Sequence, residues 1–164
     1  MNPVFDIDCS RLHAEQQRLQ STYHPDRYVN ASDRDKRLSV QVASWVNQAY
    51  ETLQDPVKRS RYLLEINGAD IPDDSTTTSD TEFLMEQIEL REQVESCRHG
   101  QDGLQRSDQI ETRLAHRAEQ LAREFVSDFE AAEFDKAIVS SRKMQFIQRI
   151  QQQLSELQFE LEEF

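Results

Sequence analysis

Proline and glycine are placed so that most of this 164-residue chain contains nothing to interrupt a helix. The four prolines are Pro3, Pro25, Pro56 and Pro72, and none follows Pro72; after Gly68 the only glycines are Gly100 and Gly103. Proline removes an amide donor and clashes with the preceding turn, and glycine has the most backbone freedom to lose, so these two residues are the main breaks in a helical chain. The uninterrupted second half is rich in Glu, Gln, Arg and Leu, which favour helix. No alternating Val/Ile/Thr run is bounded by turn residues, so strands are not expected. The fold class predicted is all-α.

In the first half, Asp8 or Ser10 can cap a helix that runs to Tyr23 with Leu12, Leu19 and Tyr23 on one side, and Pro25 ends it. A second helix is expected from Ser32 or Asp33 to Leu53, with Leu38, Val42, Trp45, Ala49 and Leu53 as its apolar stripe. A short third helix carries Tyr62, Leu63 and Ile66 and stops at Gly68. The second half reads as three helices, about Thr81–Arg98, Ser107–Glu130 and Glu133–Phe164. Their stripes are Phe83, Gln87, Leu90, Val94 and Cys97; then Ile110, Leu114, Leu121, Phe125 and Phe129; then Ile147, Ile150, Leu154, Leu157, Leu161 and Phe164. The polar stretch from Ile71 to Asp80 separates the halves. The expected organisation is therefore residues 1–72 as one domain, 73–80 as a linker and 81–164 as a three-helix bundle.

Charge is as uneven as the breakers. Residues 1–72 carry nine Lys/Arg against ten Asp/Glu, and residues 73–164 carry ten against 21, for a net charge of −12. Such a chain repels phosphate backbones and anionic lipid, so neither nucleic acid nor a membrane surface is an expected partner. No run approaches the roughly 20 apolar residues of a membrane span. The N-terminal residues have neither the basic start nor the apolar run of a signal peptide. Cys9 and Cys97 are the only cysteines and cannot build a disulfide framework or a four-cysteine zinc site.

Catalytic chemistry finds no support. None of His13, His24, His99 and His116 has a Glu three residues before it, and no HExxH, phosphate loop or GxSxG elbow occurs. No enzyme, no metal site and no cofactor are expected. The segment Tyr23-His24-Pro25-Asp26-Arg27 is different. Taken alone, it is a helix stop followed by a turn. It also joins two amphipathic helices at a tip, where a proline-fixed backbone projects an imidazole and a carboxylate together. Arg11, Arg18 and Arg27 lie on the same arm, with Arg34, Lys36 and Arg37 close behind, which suits an acidic protein partner or simple solvation.

From His24-Pro25-Asp26 through VNQAYETLQDP (Val46 to Pro56), the chain resembles a J domain, the module that stimulates ATP hydrolysis by DnaK-type chaperones. The continuation RYLLEINGADI and the later TEFLMEQIELRE (Thr81 to Glu92) resemble the HscB family, J-type co-chaperones of iron–sulfur cluster assembly. That resemblance implies an adaptor with two ends: a J domain for a dedicated, HscA-like DnaK-type chaperone, and a bundle that holds the IscU-like scaffold protein. It implies that His24, Pro25 and Asp26 trigger the chaperone's ATPase, with Arg18 and Arg27 beside them. The N-terminal residues have no presequence character, so the bacterial cytoplasm is the expected location, with the mitochondrial matrix as the second possibility.

Helix geometry supplies an independent argument for the second end. At about 100° per residue, Leu84, Met85 and Ile88 fall well off the core stripe of their helix. A bundle helix needs only one stripe, so a second apolar patch needs cover, either from a partner or from the J-like domain. The family's scaffold-binding residues match Leu84, Met85 and Ile88, and also Arg91, Glu92 and Phe146. The spacing itself does not single out Phe146, which sits at the edge of its stripe.

One departure from the family stands out. Its J domains begin with a helix bearing a motif like YFELFGLP, placed before the segment matched here by Val4-Phe5-Asp6-Ile7-Asp8, and only Met1-Asn2-Pro3 precedes that segment. The expected J-like domain is thus a hairpin without its first helix, in which Leu19, Trp45 and Ala49 lose part of their cover. The rival expectation is an acidic helical bundle that self-associates, in which His-Pro-Asp is only a turn.

Overall fold

The computed structural model describes residues 4–72, 80–99 and 102–162, and among them every regular element is helical. The six α-helices are α1 (Cys9–Tyr23), α2 (Asp33–Gln54), α3 (Pro56–Ile66), α4 (Thr81–Ser96), α5 (Gly103–Glu130) and α6 (Phe134–Glu162). The chain forms two compact units, Met1–Leu63 and Leu64–Phe164, divided at a position within the sequence of α3. The expected linker lies outside the described residues except for Asp80. No helix among the described residues is long and apolar enough to cross a membrane.

The helix ends follow from side-chain caps. Asp8, Ser32 and Asp80 each have extended backbone and accept a hydrogen bond from an amide of the first turn, at Arg11, Asp35 and Phe83. Two helices end in Schellman turns. At the end of α3, Gly68 (φ 73°) donates to the Glu65 carbonyl and Ala69 to that of Leu64. At the end of α5 the same pattern places Ala132 at φ 57°, with Ala132 donating to the Phe129 carbonyl and Glu133 to that of Asp128. Gly103 opens α5 one turn before the expected Ser107. It sits against Cys97, where an added Cβ would lie 2.4 Å from the Cys97 carbonyl oxygen.

In the first unit, α1 and α2 form an antiparallel hairpin with polar contacts across it. His13 Nδ1 lies 3.1 Å from the Tyr50 hydroxyl, and the Gln20 amide donates to Asn47 at 2.6 Å. These contacts identify the side of α2 that meets α1: Ser39, Ala43, Val46 and Tyr50 share one line of the helix, with Asn47 at its edge. The expected stripe of Leu38, Val42, Trp45, Ala49 and Leu53 is turned about 100° away from that line. Leu38 and Trp45 are 51% and 56% exposed, Ala49 is exposed, and only Val42 and Leu53 are half-buried. On α1, Leu12, Leu19 and Tyr23 are likewise half-buried and no residue is fully buried. On α3, Leu63 is buried, whereas Tyr62 and Ile66 are exposed. The buried part of this unit gathers around Phe5, Val57, Ser60 and Arg59. The Arg59 guanidinium lies 4.7 Å from the Phe5 ring centre and donates to the Leu53 carbonyl at the end of α2. Burial lowers the pKa of Arg59 from its usual value.

The second unit is an up–down–up bundle. Salt bridges and hydrogen bonds between Arg117 and Glu86 and between Arg113 and Gln93 set α5 antiparallel to α4. Pairs of Lys143 with Asp80 and Arg98 with Glu160 set α6 parallel to α4. The core follows the expected stripes. Leu114, Leu121 and Phe125 of α5 and Ile147, Ile150, Leu154 and Leu157 of α6 are at most 1% exposed, and Phe83, Leu90, Val94 and Cys97 of α4 are buried with them. Phe129 and Leu161 are half-buried, and Phe164 lies outside the described residues.

Candidate functional site

The tip of the first unit is shaped by one proline. Its pyrrolidine ring disfavours helical backbone at the preceding residue, and His24 is extended there (φ −58°, ψ 128°), so α1 ends at Tyr23. Pro25 then opens a 3₁₀ turn, Pro25–Tyr28, before α2. The His24 side chain folds back over this turn, and its Nδ1 accepts a hydrogen bond from the Asp26 amide at 3.3 Å. That bond assigns the neutral ring's proton to Nε2. The Asp26 carboxylate stands 3.6 Å from the same nitrogen. Both side chains face water, at 57% exposed for His24 and 87% for Asp26. The tip therefore presents an imidazole and a carboxylate in a fixed relation, and neither is sequestered.

The two arginines assigned to this end differ. Arg27 donates from Nη1 to the Ser21 carbonyl at 3.2 Å, tying the turn to the last turn of α1. Arg18 pairs with Glu15 one turn earlier, with hydrogen bonds of 2.5 and 2.9 Å. The pairing raises the pKa of Arg18 and lowers that of Glu15. Arg18 is thus charge-neutralised on its own helix, whereas Arg27 is held by a backbone carbonyl and pairs with no carboxylate among the described residues. The Glu15–Arg18 spacing of three, legible in the sequence, is what distinguishes the two arginines.

On the second unit, α4 has the two faces that its sequence requires. One side is core, and on the other Leu84, Met85 and Ile88 are 36%, 56% and 52% exposed. Arg91 and Glu92 continue this outer face and are exposed. Phe146 is set apart from them. It is 9% exposed in the seam between α4 and α6, its ring edge-on to Phe83 with centres 5.5 Å apart. The Arg91 guanidinium lies over it at 5.6 Å, so Arg91 covers Phe146 from the solvent side. The start of α4 is fixed by Asp80, which caps Phe83 at 2.9 Å and pairs with Lys143 of α6 at 2.7 Å. Lys143, then the Phe83 amide, hold the Asp80 carboxyl below the usual carboxylate range.

Among the described residues, no group of three His, Cys, Asp or Glu side chains is placed to hold a metal ion. Sequence reasoning missed one surface, a groove on α2 that contains Trp45. Its signal was a stripe with more apolar residues than the α1 contact uses.

The comparisons with known proteins agree with this architecture. Residues 79–155 match a family model described as the HSCB C-terminal oligomerisation domain. A co-chaperone protein HscB homolog of Shewanella halifaxensis (strain HAW-EB4) is 35% identical over 160 residues, covering 95% of this chain and 91% of that protein. The co-chaperone protein HscB of Proteus mirabilis (strain HI4320) is 34% identical over 154 residues, covering 94% and 89%. Among solved structures, the chaperone HscB from Vibrio cholerae superposes with a TM-score of 0.86 at 31% identity, covering 96% of this chain and 93% of that one.

Proposed function

The chain belongs to the HscB family of co-chaperones, and from that membership we propose that it links a DnaK-type chaperone to the scaffold protein of iron–sulfur cluster assembly and stimulates the chaperone's ATPase. The observation that carries this reading is the presence of two exposed features, one on each unit. His24 and Asp26 stand at a proline-fixed tip on one unit, and Leu84, Met85 and Ile88 form an apolar patch on the other.

The tip docks on the chaperone. A loop whose backbone is set by Pro25 and by the His24–Asp26 hydrogen bond loses little conformational entropy on binding. Arg27 adds a positive charge beside it for an acidic chaperone surface. ATP hydrolysis takes place in the chaperone's nucleotide site; this chain contributes binding energy that shifts the chaperone between conformations. The patch holds the scaffold protein by burying Leu84, Met85 and Ile88, with Met85 adapting to an irregular surface. Arg91 and Glu92 rim that contact, and Phe146 supports it from beneath.

Steady-state ATPase measurements on the cognate chaperone test the reading. The chain together with the scaffold should accelerate hydrolysis, and His24→Gln should return the rate to that of chaperone with scaffold alone. An unstimulated rate with the parent chain, or equal stimulation by His24→Gln, removes the trigger role. Self-association through the same patch is the competing use, and it predicts a stable homo-oligomer in sedimentation and no affinity for the chaperone.

A further inference from the structure

Trp45 is the only tryptophan in the chain, and it is 56% exposed. It borders a shallow groove of about 450 Å³ on α2, lined by Lys36, Arg37, Val40, Gln41, Ser44 and Trp45. Val40 is 56% exposed, and Leu38, two helical turns before Trp45, extends the apolar line at 51%. Two cations and no carboxylate line this groove, in a chain of net charge −12. Lys36 pairs with Asp33, at 4.0 Å on its own helix. Arg37 makes no ion pair among the described residues.

An open indole beside two cations, one of them already paired with Asp33, has the composition of an interface centre, where Trp and Arg dominate binding energy. Lys36 and Arg37 set the sign of the occupant. A nucleic-acid strand could also stack a base on Trp45. Its phosphates would, however, meet only two cations in this groove, and binding of that kind needs several neutralised phosphates. A short peptide places a few carboxylates within a Debye length of Lys36 and Arg37 and no further. We propose that this groove docks a short acidic peptide segment of a partner protein, with carboxylates on Lys36 and Arg37 and a bulky apolar side chain against Trp45 and Val40. The contact is separate from both the His24 tip and the α4 patch, and it stands whether or not those two act as proposed.

Trp45 reports its own occupancy, because covering the indole shifts its emission to the blue. The full chain is titrated with the blocked peptide Asp-Glu-Phe-Leu-Glu-Asp. The expected result is a saturable blue shift that weakens about tenfold in the double variant K36E/R37E and falls with added salt. The inference is overturned by constant emission up to millimolar peptide, or by an equal response to a peptide with Lys in place of each Asp and Glu. A shift produced by oligouridylate and not by the peptide overturns it in favour of nucleic acid. A shift that follows protein concentration alone overturns it in favour of a second copy of the chain.

Discussion

Replacing Leu84, Met85 and Ile88 together with alanine separates a docking patch from a piece of core. Full burial of a Leu, Met or Ile side chain contributes roughly 1.5–3 kcal/mol. These three are 36%, 56% and 52% exposed, so between a third and a little over half of each contribution remains for a partner to realise. That is roughly 0.5–1.5 kcal/mol apiece, and because alanine keeps its Cβ the triple variant should lose about 2–3 kcal/mol of scaffold binding. Calorimetric titration with the scaffold protein should therefore find Kd raised about 30- to 150-fold. Helical circular dichroism should persist, since alanine is the better helix former at exposed positions. Phe146→Ala provides the contrast. Phe146 is 9% exposed and packs edge-on against Phe83, so its truncation should cost the fold about 3–5 kcal/mol and lower the melting midpoint. Parent-like affinity in a folded triple variant would refute the docking role, and a midpoint that drops as far as in Phe146→Ala would show that the patch is core.

Two further outcomes follow from local geometry. Ala132 occupies the left-handed position of a Schellman turn that favours glycine, so Ala132→Gly should stabilise the bundle by about 0.5–1 kcal/mol. An unchanged or lowered midpoint in thermal melts would show that the strain is absent. Asp80 is held ionised by Lys143, and its folded pKa lies below its unfolded one. This stabilisation is present above the unfolded value of about 3.9 and is lost as pH falls through the lower folded value. Asp80→Asn keeps the capping oxygen and removes the charge, so it should melt below the parent at pH 7 and converge with it near pH 2. An equal gap at both pH values contradicts the pairing.

Much of this molecule is readable from its residues. Asp8, Ser32 and Asp80 mark where helices begin, and Pro25 marks where α1 must end, because these effects act within one turn of chain. The stripes of α5 and α6 are buried from Ile110 to Phe125 and from Ile147 to Leu157, and the two faces of α4 separate as their angles require. Glycine was less readable. Gly103 precedes the expected helix start at Ser107 and instead opens α5, because its missing side chain lets the backbone approach the Cys97 carbonyl oxygen, a contact visible only after folding.

The scarcity of proline and glycine determined the all-helical class, local caps marked several helix starts, and periodicity, which assigns residues to a line along a helix, determined the existence of an unmatched apolar face on α4. Which line meets a neighbour was decided by packing. On α2 the polar pairs His13–Tyr50 and Gln20–Asn47 turn Ser39, Ala43 and Val46 toward α1, and Trp45 with its more apolar stripe is left open. On α6, a position at the edge of the stripe became a buried ring, Phe146, because Phe83 and Arg91 close over it. Both outcomes depend on how one helix is rotated against another, and that rotation is set by contacts between residues far apart in the chain.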